Sequence, residues 1–180
     1  MRARIAVVHA RGAPLAAARA IAGVFERLEV AVEVHTARAV TSVSQVDAVV
    51  VLGMLGPGGW RDDAVAFIGR FRRPLAYRTL AYAVGLPAHL DPARTPERIA
   101  RGLAHVLDWY NELRPVKVGL FHFESAHALG EVRAWSEHLA PNFVGPHGEA
   151  PGGLRPFLEA RPAECGDPSA RPNMVWPAPV

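Results

Sequence analysis

With 180 residues, half of them hydrophobic, and a formal net charge of +3, the chain can bury one sizeable core and has no apolar run long enough to span a bilayer. Its one cysteine, Cys165, excludes an internal disulfide framework and a Cys-based zinc site, and suits a reducing, cytoplasmic setting. The basic residues are almost all arginine, Lys117 being the one lysine, and they are spread along the chain, so the charge points to no nucleic-acid partner.

Met1-Arg2-Ala3-Arg4 leads straight into a strand, with no secretory signal. Arg4 to His9 (Arg-Ile-Ala-Val-Val-His) reads as a first buried strand. A short connection, Ala10 to Pro14, precedes a helix with Ala18, Ile21, Ala22, Phe25 and Leu28 on one face. Val30 to His35 alternates and reads as a half-exposed edge strand. Asp47 to Met54 is a near-continuous β-branched run, the mark of a strand buried on both faces in a parallel sheet. It breaks into Gly53, Gly56, Pro57, Gly58 and Gly59. A helical pattern then restarts, with Trp60, Ala64, Phe67, Ile68 and Phe71 on one face, and Pro74 ending it. The dense arginine group Arg70-Phe71-Arg72-Arg73 falls at that helix end, where it complements the helix dipole.

Thr79 to Val84 is a fourth strand, stopping at Gly85-Leu86-Pro87. Thr95-Pro96-Glu97 starts a helix, with a Thr cap, proline at the first helical position and an acid in the first turn. That helix buries Ile99, Leu103, Val106, Leu107 and Tyr110 and ends before Pro115. Val116 to Phe123 is a fifth strand, and Leu129, Val132, Trp135 and Leu139 form the stripe of a last helix. Strands alternating with helices imply right-handed crossovers and a doubly wound α/β fold. From Pro141 the character changes, nine of the sixteen prolines lying in the last forty residues. Residues 1–140 are read as the domain and 141–180 as a Pro/Gly-rich extension, which Phe143, Leu154, Phe157, Leu158, Met174 and Trp176 could pin to the body.

In open α/β sheets ligands bind over the carboxyl ends of the strands. Here that edge carries His9 to Leu15, Met54 to Trp60 and Val84 to Leu86. His9 ends the first strand and is the first histidine to test as an acid or base. His122, Glu124 and His127 cluster near the end of the fifth strand. Two histidines and a carboxylate can hold iron, but the spacing is unspecific, solvated loop residues are the better reading, and no metal site is expected. Cys165 has no basic neighbour in sequence and reads as an inert thiol.

Four motifs in order resemble the flavodoxin-like family, in the branch that includes the quinone-dependent protoporphyrinogen oxidases. They are Ile5 to Val8 running into a helix, Val46 to Gly53 followed by Gly59-Trp60 and Ala66-Phe67, Tyr82 to Pro87, and Val132-Arg133-Ala134-Trp135. The resemblance covers Ile5 to about Ala140 and implies five parallel strands in the order 2-1-3-4-5. It also implies flavin mononucleotide (FMN) as cofactor, with Arg11, Gly12 and Ala13 at its phosphate. Gly56, Gly58 and Gly59 would flank the ring, Trp60 would stack on it, and Val84 and Gly85 would complete the cleft. The first loop departs from the family pattern. It carries no hydroxyl, and Pro14 has no backbone N–H to offer a phosphate. Three readings stay open: a flavin-type oxidoreductase acting on a large planar substrate or quinone, a flavin-free binding or scaffold protein, and a non-redox enzyme using His9 in an emptied cleft. A small planar or aromatic ligand and a homo-oligomer are compatible with each.

Overall fold

The apolar runs set the strands. In the computed structural model, which describes residues 3–60, 62–104, 106 and 109–144, β1 covers Arg4–His9, β2 Ala31–Thr36, β3 Ala48–Gly56, β5 Thr79–Gly85 and β6 Lys117–Phe121. They form a parallel sheet in the order β2-β1-β3-β5-β6. These are the five strands, in the order, that the sequence implies. The sheet has one further member, a two-residue strand β4 (Gly59–Trp60), which pairs antiparallel with the end of β3. Edge strand β2 alternates between exposed and half-buried residues, because one side of its backbone ladder has no partner and one face meets water.

Period-two alternation divides the core into two layers. Ala6, Val8, Val49, Val51, Leu80, Tyr82 and Val84 face one side, where α2 (Asp62–Arg70), α3 (Arg72–Leu75), α4 (Pro96–Gly102) and α5 (Tyr110–Leu113) contribute Ala64, Phe67, Ile68, Leu75, Ile99 and Leu113. Ile5, Val7, Val50, Leu52, Ala81, Ala83 and Phe121 face the other, under α1 (Leu15–Glu26) and α6 (Ala128–Phe143). In α1 the expected stripe Ala18, Ile21, Ala22 and Phe25 is buried. Leu28 lies past the helix end and is 43% exposed.

Four boundaries differ from the sequence reading. Trp60 opens no helix; it is the last residue of β4, and α2 begins at Asp62. Pro74 does not end α2, which stops at Arg70; it lies inside the short α3. The long helix expected from Thr95 to Pro115 is divided, α4 stopping at Gly102, where glycine is a weak helix former. Thr95 does sit at the N-cap, but its hydroxyl donates to the carbonyl of Asp91 at 2.9 Å instead of accepting a helix N–H. Of the residues expected to line that helix, Leu107 lies outside the described residues. Finally, α6 runs through Pro141 to Phe143.

The continuation past Pro141 has a visible cause. Phe143 is fully buried and its ring stacks on Phe25 of α1, with centroids 5.5 Å apart. Burying such a ring contributes roughly 2–3 kcal/mol, enough to offset most of the about 3 kcal/mol that a helix-interior proline costs. The remaining apolar residues of the extension, Leu154, Phe157, Leu158, Met174 and Trp176, lie outside the described residues.

Two substitutions test this architecture. Phe143→Ala removes the α1–α6 ring pair and should cost about 3–5 kcal/mol, read as a drop in urea midpoint at unchanged slope. Val50→Asp places an unpaired carboxylate in a fully buried position of the central strand, among the costliest changes available. It should leave no soluble folded protein. A Val50→Asp variant that melts cooperatively near the wild-type temperature would show that β3 is not central.

Candidate functional site

The register of the sheet assembles the carboxyl edge. His9 lies beside Leu52, and Gly53 and Met54 lie beside Val84 and Gly85. The first loop leaves this edge at Ala10, whose N–H donates to the carbonyl of Leu52 at 2.7 Å. It closes as a turn, Ala13 N–H donating to the carbonyl of Ala10 at 3.1 Å, with Gly12 at φ +87°. Only glycine takes that backbone conformation without strain. Arg11 and Gly12 are exposed. Pro14 caps α1 without a side-chain hydrogen bond, and no acid stands in the first turn.

A residue that the sequence reading did not single out has moved in beside this loop. Asp63, in the first turn of α2, is 13% exposed, and its Oδ1 accepts from Nε and a terminal nitrogen of Arg38 at 3.0 and 2.9 Å. These Arg38 hydrogen bonds hold its carboxyl below the usual range, and the backbone amide and charge of Arg11 act in the same direction. Asp63 therefore sets a carboxylate, bonded to the Arg38 guanidinium, beside the backbone amide of Arg11.

The second loop is a hairpin. Leu55 pairs with Trp60 and Gly56 with Gly59, leaving Pro57 and Gly58 as the turn. Gly59 has φ +113°. A Cβ there would lie 2.9 Å from the carbonyl oxygen of Gly102, so the hairpin rests backbone to backbone on α4. Trp60 is 4% exposed. Its indole lies over Gly53, where an added Cβ would meet ring atom Cε2 at 2.8 Å, and contacts the Tyr82 ring edge-on at 5.3 Å. Burial pushes the Tyr82 phenol well above its usual value. At the third side of the edge, Val84 is fully buried. The space over Gly85 is filled by the Met54 sulfur and the Phe123 ring, whose Cδ2 would stand 2.5 Å from an added Cβ.

The expected site residues thus fall into separate places. Arg11, Gly12 and Ala13 lie at the first loop beside Asp63; Val84 and Gly85 lie beneath Met54 and Phe123. Gly56, Gly58 and Gly59 line a different space, a cleft of about 370 Å³ between the hairpin, Pro87 to Leu90, and α4. Its charged lining is basic: His89, Arg98 and Arg101. Spacing held a clue to these residues, since Arg98 and Arg101 are three apart in a helix and so share a face. His122, Glu124 and His127 are not brought together for a metal; among the described residues no group of three or more such ligands is. No helix of the described residues is long and apolar enough to cross a membrane.

His9 is half-buried at the end of β1. Burial lowers its pKa below the ordinary 6.5, with the Ala10 backbone acting the other way. At neutral pH it is an uncharged imidazole, able to accept a proton. Because the folded value is depressed, the unfolded chain binds the proton more readily just below pH 6.5. The stabilising term is full above that pH and is lost as pH falls through the folded value. Stability measured by urea melts should therefore rise with pH across this window, and His9→Asn should flatten the rise. An unchanged slope in the variant would assign the dependence to another group.

Comparison with known proteins places the fold. No family model matches the chain, and no curated protein matches it. Among solved structures, a short-chain flavodoxin associated with a non-canonical PDU bacterial microcompartment is 16% identical, with a TM-score of 0.57 over 78% of this chain and 98% of its own. Flavodoxin 2 from Bacillus cereus is 14% identical, with a TM-score of 0.57 over 78% of this chain and all of its own. The rubredoxin oxygen:oxidoreductase from Desulfovibrio gigas matches at 12% identity and a TM-score of 0.55, over 77% of this chain but 35% of that one. Strand order, the two helical layers and these likenesses agree: the chain has the flavodoxin-like fold.

Proposed function

We propose that this chain is a flavin-free descendant of the flavodoxin-like fold, acting as a binding domain and not as an FMN-dependent oxidoreductase. The observation that carries this reading is the Asp63 carboxylate at the Arg11 amide of the first loop. The fold's known members imply FMN, whose phosphate would approach that loop. Phosphate monoesters carry roughly −1.5 to −2 charge at neutral pH, and here the Asp63 carboxylate, itself an anion, already engages the Arg11 amide that a phosphate would need. No loop hydroxyl offers a replacement donor, and Pro14 removes one of the amides that a phosphate would use.

The ring side of the site points the same way. Trp60 has both its neighbours in the core and presents no open face for stacking. The glycines expected to flank a ring serve the hairpin turn and its contact with α4. Met54 and Phe123 occupy the strand ends over Gly85. The residues present do not fit FMN.

The visible spectrum of freshly purified protein tests this, followed by titration with FMN. Wild type should be colourless and bind added FMN more weakly than micromolar. Asp63→Asn, which removes the repelling charge, should tighten that weak binding by about tenfold, equivalent to 1.4 kcal/mol. A yellow wild-type preparation with stoichiometric flavin would overturn the proposal and restore the oxidoreductase reading that the protoporphyrinogen oxidase motifs suggest.

A further inference from the structure

Several arginines of this chain have a counter-charge or a carbonyl to bond. Arg4 pairs with Glu33, Arg27 with Glu137, Arg38 with Asp63, Arg72 with Glu112 and Arg94 with Asp91. Arg70 donates to the carbonyls of Ala37 and Val40, and Arg78 to those of Val43 and Ser44. Arg98 and Arg101 differ. Both are exposed on α4 and both line the cleft beneath the hairpin. Neither has a hydrogen-bond or ion-pair partner among the described residues. Two like charges three apart on a helix repel each other, and no carboxylate lines the cleft to balance them.

The opposite wall is the hairpin, where Leu55 and Pro57 alternate with glycines. Gly56, Gly58 and Gly59 contribute no side chain, and an added Cβ at Gly58 would meet nothing within 4 Å. A ligand can therefore approach the turn closely. The wall is also fixed in place: Gly59 rests on the Gly102 carbonyl at backbone distance, and an added Cβ at Gly102 would lie 2.7 Å from the Leu55 side chain. At about 370 Å³ the space is at the lower end of small-molecule sites. Guanidinium groups bind carboxylate and phosphate oxygens through two parallel hydrogen bonds.

We propose that the cleft between the Gly56–Gly59 hairpin and α4 binds a small oxyanion ligand, a phosphate or carboxylate compound, held by Arg98 and Arg101 with His89 at the rim. The site shares no residue with the first loop, although its glycines are those that the family resemblance sets beside the FMN ring, so the anion probes below carry no ring. Anion binding neutralises the repelling pair, which is the interaction the free protein lacks.

The test is a nuclear magnetic resonance titration of the isotopically labelled full chain with inorganic phosphate and, separately, citrate, at constant ionic strength set with sodium chloride. The expected result is a saturable shift of the Gly58, Gly59 and Gly102 amides for at least one of them, with a Kd that is millimolar or tighter. Saturation by one probe alone identifies which source of oxyanion the cleft prefers. The double variant Arg98→Gln/Arg101→Gln should weaken binding at least tenfold. Arg94→Gln, outside the cleft, should leave it unchanged. Both cleft arginines are exposed, so the fold should survive, as circular dichroism would verify; should it not, the wild-type shift pattern alone decides. Linear shifts no larger than those from added chloride would overturn the proposal, as would saturable binding that the double variant leaves intact. Shifts confined to Arg11, Gly12 and Ala13 would overturn it too, and would point to the first loop instead.

Discussion

Strand β3 is enclosed on both edges and both faces at once, and the rest of the structure is placed by that enclosure. From Ala48 to Leu52 no residue has accessible surface. Parallel neighbours on each edge require crossover connections, and burial of both faces requires helices above and below, which is what α1 with α6 and the α2–α5 layer supply. The enclosure ends at a definite register. Strand β1 runs out beside Leu52 and β5 beside Met54. Leu55 and Gly56 therefore leave the sheet with unpaired backbone groups, and those groups have to be satisfied. The chain meets that need by turning back on itself as β4.

That turn explains how much of the site was legible in the sequence. The strands announced themselves because a strand buried on both faces leaves a continuous apolar run, and Ala48 to Leu52 is one. The Gly-rich loop after it was ambiguous for a physical reason: glycines that permit a close ligand approach also permit a tight turn. What decides between them is an apolar cross-strand pair, Leu55 with Trp60, and a docking contact with Gly102 that lies far along the chain. Neither leaves a local pattern. Trp60 was read as the start of a helix because it is in phase with Ala64, Phe67 and Ile68, and in the structure it does join their core cluster, but from a strand. The helix through Pro141 was hidden in the same way, since its cause is the ring of Phe25, more than a hundred residues earlier.

The electrostatics of the carboxyl edge were less legible still. Asp63 sits in the first turn of α2, where an acid is favourable to the helix dipole, and nothing in its local sequence marks it out further. Its second role, beside the first loop, depends on Arg38 arriving from the segment after β2. Arg38 is 72% exposed while Asp63 is 13% exposed, so the pair is anchored at its carboxylate end and solvated at its cationic end. The carboxylate is the part that meets the loop, at the Arg11 amide.

Two separate changes thus bear on what the domain can hold, and they share one geometric origin. With Gly59 docked against Gly102, the hairpin lies along α4 and Trp60 covers Gly53 from within the core. The same contact builds the wall that faces Arg98 and Arg101. The first loop keeps a carboxylate, paired with Arg38, beside the Arg11 amide, whereas the space one strand connection away presents two arginines and no carboxylate in its lining. The two spaces therefore differ in the sign of the group they would attract, and that difference follows from where the hairpin and α4 meet.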